Sequence, residues 1–348
     1  MGWCLPRPSQ SSESRSVVQN AQRMMPQVPG SLRLGDEKSP VLFLIFNRPI
    51  ETSEVFSRIR EYRPRKLFIA ADGPRSNSPD DQELCAETKL IIERIDWDCK
   101  INTLFREDNL GCKRAVESAI SWFFEHVQEG IILEDDCVPH GNFFHFCHEL
   151  LVENRHNEKI ALIAGFNPID SRDFSHEYRY SSYAGIWGWA TWKRAWEHYS
   201  PTFDGLADFL DSARLNQILN SPEEAAYWSE TFLKESVQNQ RSWAYPWLYS
   251  WWRRGAKGIL PTVNLVSNIG FGAAATHTKA FDTTLACRLK GEILFPLRMA
   301  ESDDVLNFDH EFAQRVYLHP SENEILSTQT PRHGWLKHIM NTIQRFIS

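Results

Sequence analysis

The sequence predicts an α/β protein on a doubly wound, mostly parallel sheet, with a Trp-rich helical subdomain after it. Three observations predict it. Short continuous apolar runs recur through the first half of the 348 residues. Segments of helical spacing separate those runs. The residues with chemical potential fall just after the runs, at one end of the predicted strands. Such runs read as strands buried on both faces, and strand–helix alternation implies right-handed crossovers.

Taken in order, residues 1–38 are polar and aperiodic and read as a disordered leader without the apolar core of a secretory signal. Val41 to Phe46, preceded by Pro40, is the first strand. Ser53 to Tyr62 has helical spacing, and Leu67 to Ala71 is the second strand. Leu84 to Ile95 is again helical, Ile101 to Phe105 a strand, and Arg114 to His126 the clearest helix. Ile131 to Leu133 and Ile160 to Ala164 complete the strands of a first half spanning 39–175.

A second half, 176–325, is Trp-rich. It reads as mostly helical from Thr191 to Arg254, with a strand near Ile259 to Val266 and a Gly-rich loop from Asn268 to His277. Nine of the thirteen tryptophans lie between Trp187 and Trp252. They read as an aromatic core, or in one or two cases as flat faces for a sugar ring. The last segment, 326–348, carries an amphipathic helix with Leu336, Ile339, Met340, Ile343, Phe346 and Ile347 on one face. It reads as a docked terminal helix, or as a peripheral contact with the inner face of the cell membrane.

Hydrophobic residues make up 42% and charged residues 24%, the range of ordinary globular enzymes. A net charge of −7 argues against nucleic acid as the main partner. Seven cysteines, odd in number and without a C-x-x-C pair, fit a reducing compartment. No stretch approaches the roughly 18–20 apolar residues that span a bilayer. A cytoplasmic protein is the expectation.

Glu134-Asp135-Asp136 follows the Gly130–Leu133 run and precedes Pro139. Three adjacent carboxylates at the exit of a buried strand repel one another and raise each other's pKa. A hard divalent cation, Mn²⁺ or Mg²⁺, would relieve that repulsion by taking one or two carboxylates plus substrate phosphates as ligands; a solvated acidic turn is the plainer reading. Asn47-Arg48-Pro49 follows the first strand and Asp72-Gly73-Pro74 the second, so both fall on the same sheet edge. Arg48 can stack on or hydrogen-bond a base, and Asp72 can accept an imide N–H. Asp72 also fits a plain Asp-Gly turn. Lys113 and Arg114, entering the helix after Asn109-Leu110-Gly111, reach phosphate oxygens or stay exposed. Gly270, Gly272 and Ala273 to Ala275 would allow backbone close to a phosphate, with Asn268 orienting the loop.

The run Val41 to Arg48, Tyr62-Arg63-Pro64, Asp72-Gly73, and Glu134-Asp135-Asp136 with Asn142-Phe143-Phe144 resembles the inverting β-1,2-N-acetylglucosaminyltransferase I group. That group includes the protein O-mannose N-acetylglucosaminyltransferases. The order is similar also to bacterial nucleotide-diphospho-sugar transferases. The resemblance covers roughly residues 40–280 and implies a glycosyltransferase A-type fold. It implies that Asp136 binds the metal, that Glu134 and Asp135 contact ribose and sugar, and that Arg48 and Asp72 hold uracil. His277 would be a second metal ligand or a diphosphate contact; a surface-loop histidine is the plainer reading.

By the same resemblance the donor is a UDP-sugar. The expected activity is inverting transfer of a GlcNAc-like sugar to a hydroxyl of a surface glycan or a lipid-linked glycan precursor. Gly185-Ile186-Trp187-Gly188-Trp189 resembles the family's Gly-Trp segment. The family's later tryptophan-and-aspartate motif, whose aspartate is the general base, meets Ser242-Trp243-Ala244-Tyr245-Pro246-Trp247 here, which has no carboxylate. Asp170, Asp204 and Glu230 are the acidic alternatives. A nucleotide- or glycan-binding protein lacking efficient transfer is the second reading. A nucleotidyltransferase would carry a Gly-rich basic phosphate loop where Asn47-Arg48-Pro49 stands.

Overall fold

A computed structural model describes residues 38–169, 175–212, 214–219, 221–237, 242–270, 291–300 and 305–318. The chain divides into Met1–Lys38 and Ser39–Ser348, and the elements all belong to the second unit. The expected leader up to residue 37, and the expected helix over Leu336 to Ile347, lie outside the described residues.

The first half alternates as its apolar runs require: β1 Val41–Ile45, α1 Pro49–Tyr62, β2 Lys66–Ala71, α2 Asp81–Lys89, β3 Lys100–Phe105, α3 Cys112–His126 and β4 Glu129–Glu134. Helix α1 starts earlier than its spacing predicts, because Pro49 sits in its first turn, where a missing N–H costs nothing. There follow β5 Cys137–Pro139, α4 Gly141–Glu153, β6 Ile160–Ala164, β7 Tyr178–Ser181 and β8 Trp189–Trp192. The Trp-rich part supplies α5 Lys193–Trp196, α6 Leu206–Asp211, α7 Arg214–Ile218, α8 Pro222–Val237 and α9 Ala244–Arg253. Strands β9 Lys257–Pro261 and β10 Val266–Asn268 and helix α10 Val305–Ala313 follow.

Eight strands form one sheet in the order β3-β2-β1-β4-β8-β6-β9-β7. Strands β3, β2, β1 and β4 are parallel throughout, and β8 is inserted antiparallel between β4 and β6. Strand β6 is parallel to β9, and β7 closes the far edge antiparallel to β9. A separate small sheet pairs β10 with β5, Cys137 opposite Asn268.

Side-chain alternation sorts the core onto the two faces of the large sheet. Val41, Phe43 and Ile45 of β1 join α1 and α4 on one face, while Leu42 and Leu44 join α3 and the tryptophan cluster on the other. Helices therefore cover both faces, which is why the strands read as unbroken apolar runs.

Two parts of the second half differ from the helical expectation. Trp189–Trp192 is a strand rather than the start of a helix, and all four of its residues are buried. Its Trp-Ala-Thr-Trp sequence lacks a helical apolar stripe, and its aromatic and β-branched side chains suit a strand flanked on both sides. The single strand expected near Ile259 to Val266 is two, β9 in the large sheet and β10 in the small one. Trp189, Trp192, Trp196, Trp228, Trp243, Trp247, Trp251 and Trp252 are buried, so eight of the nine tryptophans between Trp187 and Trp252 are core. Among the described residues no helix is long and apolar enough to cross a membrane.

Candidate active site

The chain runs outward from β1 to β2 to β3 and then returns to β4 on the other side of β1. That reversal opens a crevice at the carboxyl ends of β1 and β4, the place where such sheets bind ligands. Leu44 pairs with Glu134 across this boundary, so the residues just beyond each strand emerge side by side. A cavity of about 1100 Å³ lies there. Its walls include Arg48, Asp72, Lys113, Arg114, Glu134, Asp135 and Asp136, bringing together seven of the residues singled out in the sequence.

Arg48 is the cation among the three carboxylates. Its Nη1 donates to Asp135 Oδ1 at 3.2 Å and to Asp136 Oδ2 at 2.7 Å. The Phe46 amide donates to Asp135 Oδ2 at 3.0 Å. Glu134 has no side-chain hydrogen-bond partner among the described residues. Burial opposes charge on Arg48, and Asp135 and Asp136 overcome it, so its pKa lies above the ordinary value. Burial, and then repulsion from Asp136 and Asp135, raises the pKa of Glu134. Burial and repulsion from Asp136 do the same for Asp135, against the opposing pull of Arg48. One guanidinium does not neutralise three adjacent carboxylates, of which Asp135 and Asp136 are buried.

Asp136 is held from the far side by the small sheet. The pairing of Cys137 with Asn268 brings Asn268 Nδ2 to 3.3 Å from Asp136 Oδ1, and Ile269 N donates to the Asp136 carbonyl at 2.8 Å. The Gly270 amide closes onto Asn268 Oδ1 at 2.8 Å. A Cβ on Gly270 would lie 2.0 Å from Asp136 Oδ2. The same glycine, expected to let backbone approach a phosphate, lines the cavity and packs closely on this carboxylate.

These donors fit a hard divalent cation: they are oxygens, they carry surplus negative charge, and they face a cavity large enough for a nucleotide. Among the described residues no group of three or more His, Cys, Asp or Glu side chains is set to hold a metal alone. A cation here would take one or two oxygens from the chain and the rest from phosphate and water.

Asp72 is buried, and its carboxylate is already engaged. It accepts from Leu110 N at 3.0 and 3.1 Å and from Gly111 N at 3.1 Å. The Asp-Gly turn is thereby docked on the loop leading into α3, with Asn109 Nδ2 donating to the Gly73 carbonyl at 2.7 Å. Lys113 Nζ donates to the Pro201 carbonyl at 3.0 Å, while Arg114 is exposed on the cavity wall. Arg75 and Arg106, which sequence reasoning passed over, line the same cavity. Ile186, Trp187, Val237 and Trp243 also line the cavity.

Of the three acidic alternatives, the two that are described, Asp204 and Glu230, do not line the cavity. Asp204 is exposed, accepts from Ser200 Oγ and Thr202 Oγ1, and does not line the cavity. Glu230 is exposed on α8, also away from it. Asp170 and His277 lie outside the described residues.

No family model matches the chain, and no curated protein matches it. Among solved structures it is similar to the mannosyltransferase PcManGT from Pyrobaculum calidifontis in complex with GDP-Man and Mn²⁺. That match has 13% identity and a TM-score of 0.32, and it covers 57% of this chain and 54% of that one. It is similar also to HddC from Yersinia pseudotuberculosis, at 8% identity and a TM-score of 0.24, covering 41% of this chain and 57% of that one. The chain thus spans about half the length of the solved structures it matches.

Proposed function

We propose that the chain is a metal-dependent inverting glycosyltransferase that takes a GlcNAc-like sugar from a UDP-sugar. The acceptor is a hydroxyl of a surface glycan or of a lipid-linked precursor. The observation that carries the reading is the convergence of two buried carboxylates, Asp135 and Asp136, on the Arg48 guanidinium beside Glu134 at the β1–β4 switch point, inside a cavity of about 1100 Å³. UDP as the nucleotide, and the acceptor class, rest on the family resemblance.

On this reading Asp136 holds Mn²⁺ or Mg²⁺, with Asn268 and Gly270 fixing its carboxylate. The cation supplies charge neutralisation at the departing diphosphate. Arg48 and Asp135 orient the ribose side of the donor. Asp72 acts through the loop before α3, setting Lys113 and Arg114 where phosphate oxygens can reach them. The apolar wall of Trp187, Ile186 and Val237 faces the sugar and acceptor side and keeps water from the reacting carbon.

Calorimetric titration of UDP, GDP, CDP and dTDP tests this reading. Binding of UDP alone, dependent on Mn²⁺, is the expected result; no binding by any of the four sinks it. A second reading, nucleotide-sugar binding without efficient transfer, is favoured by the missing carboxylate at Ser242 to Trp247 and by Asp204 and Glu230 lying off the cavity. Release of UDP from a UDP-sugar that the chain binds decides for transfer. Binding without release decides for the second reading.

A further inference from the structure

Asp81 is a buried carboxylate, 2% exposed, that the scheme above does not use. It stands at the start of α2, away from the acidic motif in sequence. Its Oδ1 accepts from Asn47 Nδ2 at 2.8 Å and from Arg75 Nη2 at 2.9 Å. Its Oδ2 accepts from Arg75 Nε at 2.6 Å and from the Arg75 amide at 3.1 Å. Asn47 follows β1 and Arg75 follows β2, so one carboxylate ties together two loops at the ligand-binding edge of the sheet.

The two-pronged pairing fixes the plane of the Arg75 guanidinium, which a single contact would leave free to swing. Hydrogen bonds from Arg75 outweigh burial and hold the Asp81 carboxyl down at about 2, so the clamp stays charged at ordinary pH. The pairing uses Nε and Nη2. It leaves Nη1 with no partner among the described residues. The guanidinium sits over the Phe46 ring, 5.4 Å from its centroid. Arg75 and Phe46 both line the cavity, and Arg75 keeps 39% of its side chain exposed. A loop tie alone does not require an arginine held over an aromatic ring with a donor edge to spare.

We propose that Arg75, clamped by Asp81 against Phe46, is a preorganised arm of the donor site that hydrogen-bonds the oxygen acceptors of the nucleotide. Asp81 is then a positioning residue that acts through Arg75. The inference rests on the nucleotide-donor reading of the cavity and adds a subsite to it. Holding the donor in place before binding spares the entropy of ordering it, so the gain appears as affinity.

The test measures dissociation constants for UDP and for uridine, together with melting temperature, in Arg75→Ala, Asp81→Asn and the double variant. Arg75→Ala is expected to weaken UDP about ten- to a hundredfold and to lower the melting temperature, because the buried Asp81 carboxylate loses its main partner. Asp81→Asn is expected to show a similar loss with a lower melting temperature. The double variant is expected to bind no more weakly than Arg75→Ala, because a residue acting through another adds nothing once that other is gone.

The uridine arm identifies the oxygens: a loss that persists with uridine places Arg75 at the base or ribose, and a loss confined to UDP places it at phosphate. Arg75→Ala binding UDP as the parent does would overturn the proposal, as would a clear further loss in the double variant. If the parent chain itself binds no nucleotide, the donor reading falls first and takes this subsite with it.

Discussion

Asp136→Ala is expected to lose metal-dependent UDP binding by a hundredfold or more while folding at least as stably as the parent. Asp136 Oδ2 is 2.7 Å from Arg48, and Oδ1 is 3.3 Å from Asn268, so the carboxylate is held in one orientation from two sides. Loss of partners that merely orient a metal ligand costs about ten- to a hundredfold, and loss of the ligand itself costs more. Stability moves the other way, because removing one of three crowded carboxylates relieves repulsion that a single guanidinium does not cancel. That opposition separates a functional loss from misfolding.

Gly270→Ala should give a graded version of the same effect. The added Cβ falls 2.0 Å from Asp136 Oδ2 and 2.9 Å from Asp136 Cβ, so the side chain has to move. Calorimetric titration with and without Mn²⁺, beside a melting curve, checks both variants. An Asp136→Ala protein that binds UDP with undiminished Mn²⁺ dependence counts against the assignment.

Gly73→Ala should damage the fold and the site together. A Cβ there would come within 2.4 Å of the Asp108 carbonyl carbon and 2.4 Å of the Glu107 oxygen. Both are backbone atoms, which cannot turn aside as a side chain end can. The cost is about 3 kcal/mol or more. Any shift also loosens the contacts of Asp72 with Leu110 and Gly111 and of Asn109 with the Gly73 carbonyl. The expected result is a melting temperature lower by several degrees and weaker nucleotide binding. Gly141→Ala is the control, since its Cβ would meet nothing within 4 Å. Equal melting curves for the two variants would remove Gly73 as the hinge pin of this edge.

The parallel half of the fold was legible because β1, β2 and β4 are buried on both faces and therefore carry unbroken apolar runs. The sheet edge was legible for the same reason: Arg48, Asp72 and Glu134 to Asp136 each follow such a run directly. What escaped depends on contacts distant in sequence. Trp189–Trp192 becomes a strand only because β4 and β6 flank it, and nothing in its own residues fixes that pairing. Asp81 is the second of two adjacent aspartates in a polar turn, and its burial depends on Asn47 and Arg75 arriving from two other loops. The small sheet that fixes Asp136 joins residues more than a hundred positions apart, so Asn268 could be suspected of orienting its loop but not of holding Asp136.

The central claim is that nucleotide and metal meet at the carboxyl ends of β1 and β4. Diffraction at the manganese absorption edge, from crystals grown with UDP and Mn²⁺, tests it most directly. The account predicts an anomalous peak at coordination distance from the Asp136 carboxylate and the diphosphate, with the nucleotide in the cavity lined by Arg48 and Arg75. A nucleotide bound outside that cavity, or a manganese peak with no oxygen of Glu134, Asp135 or Asp136 beside it, would contradict it.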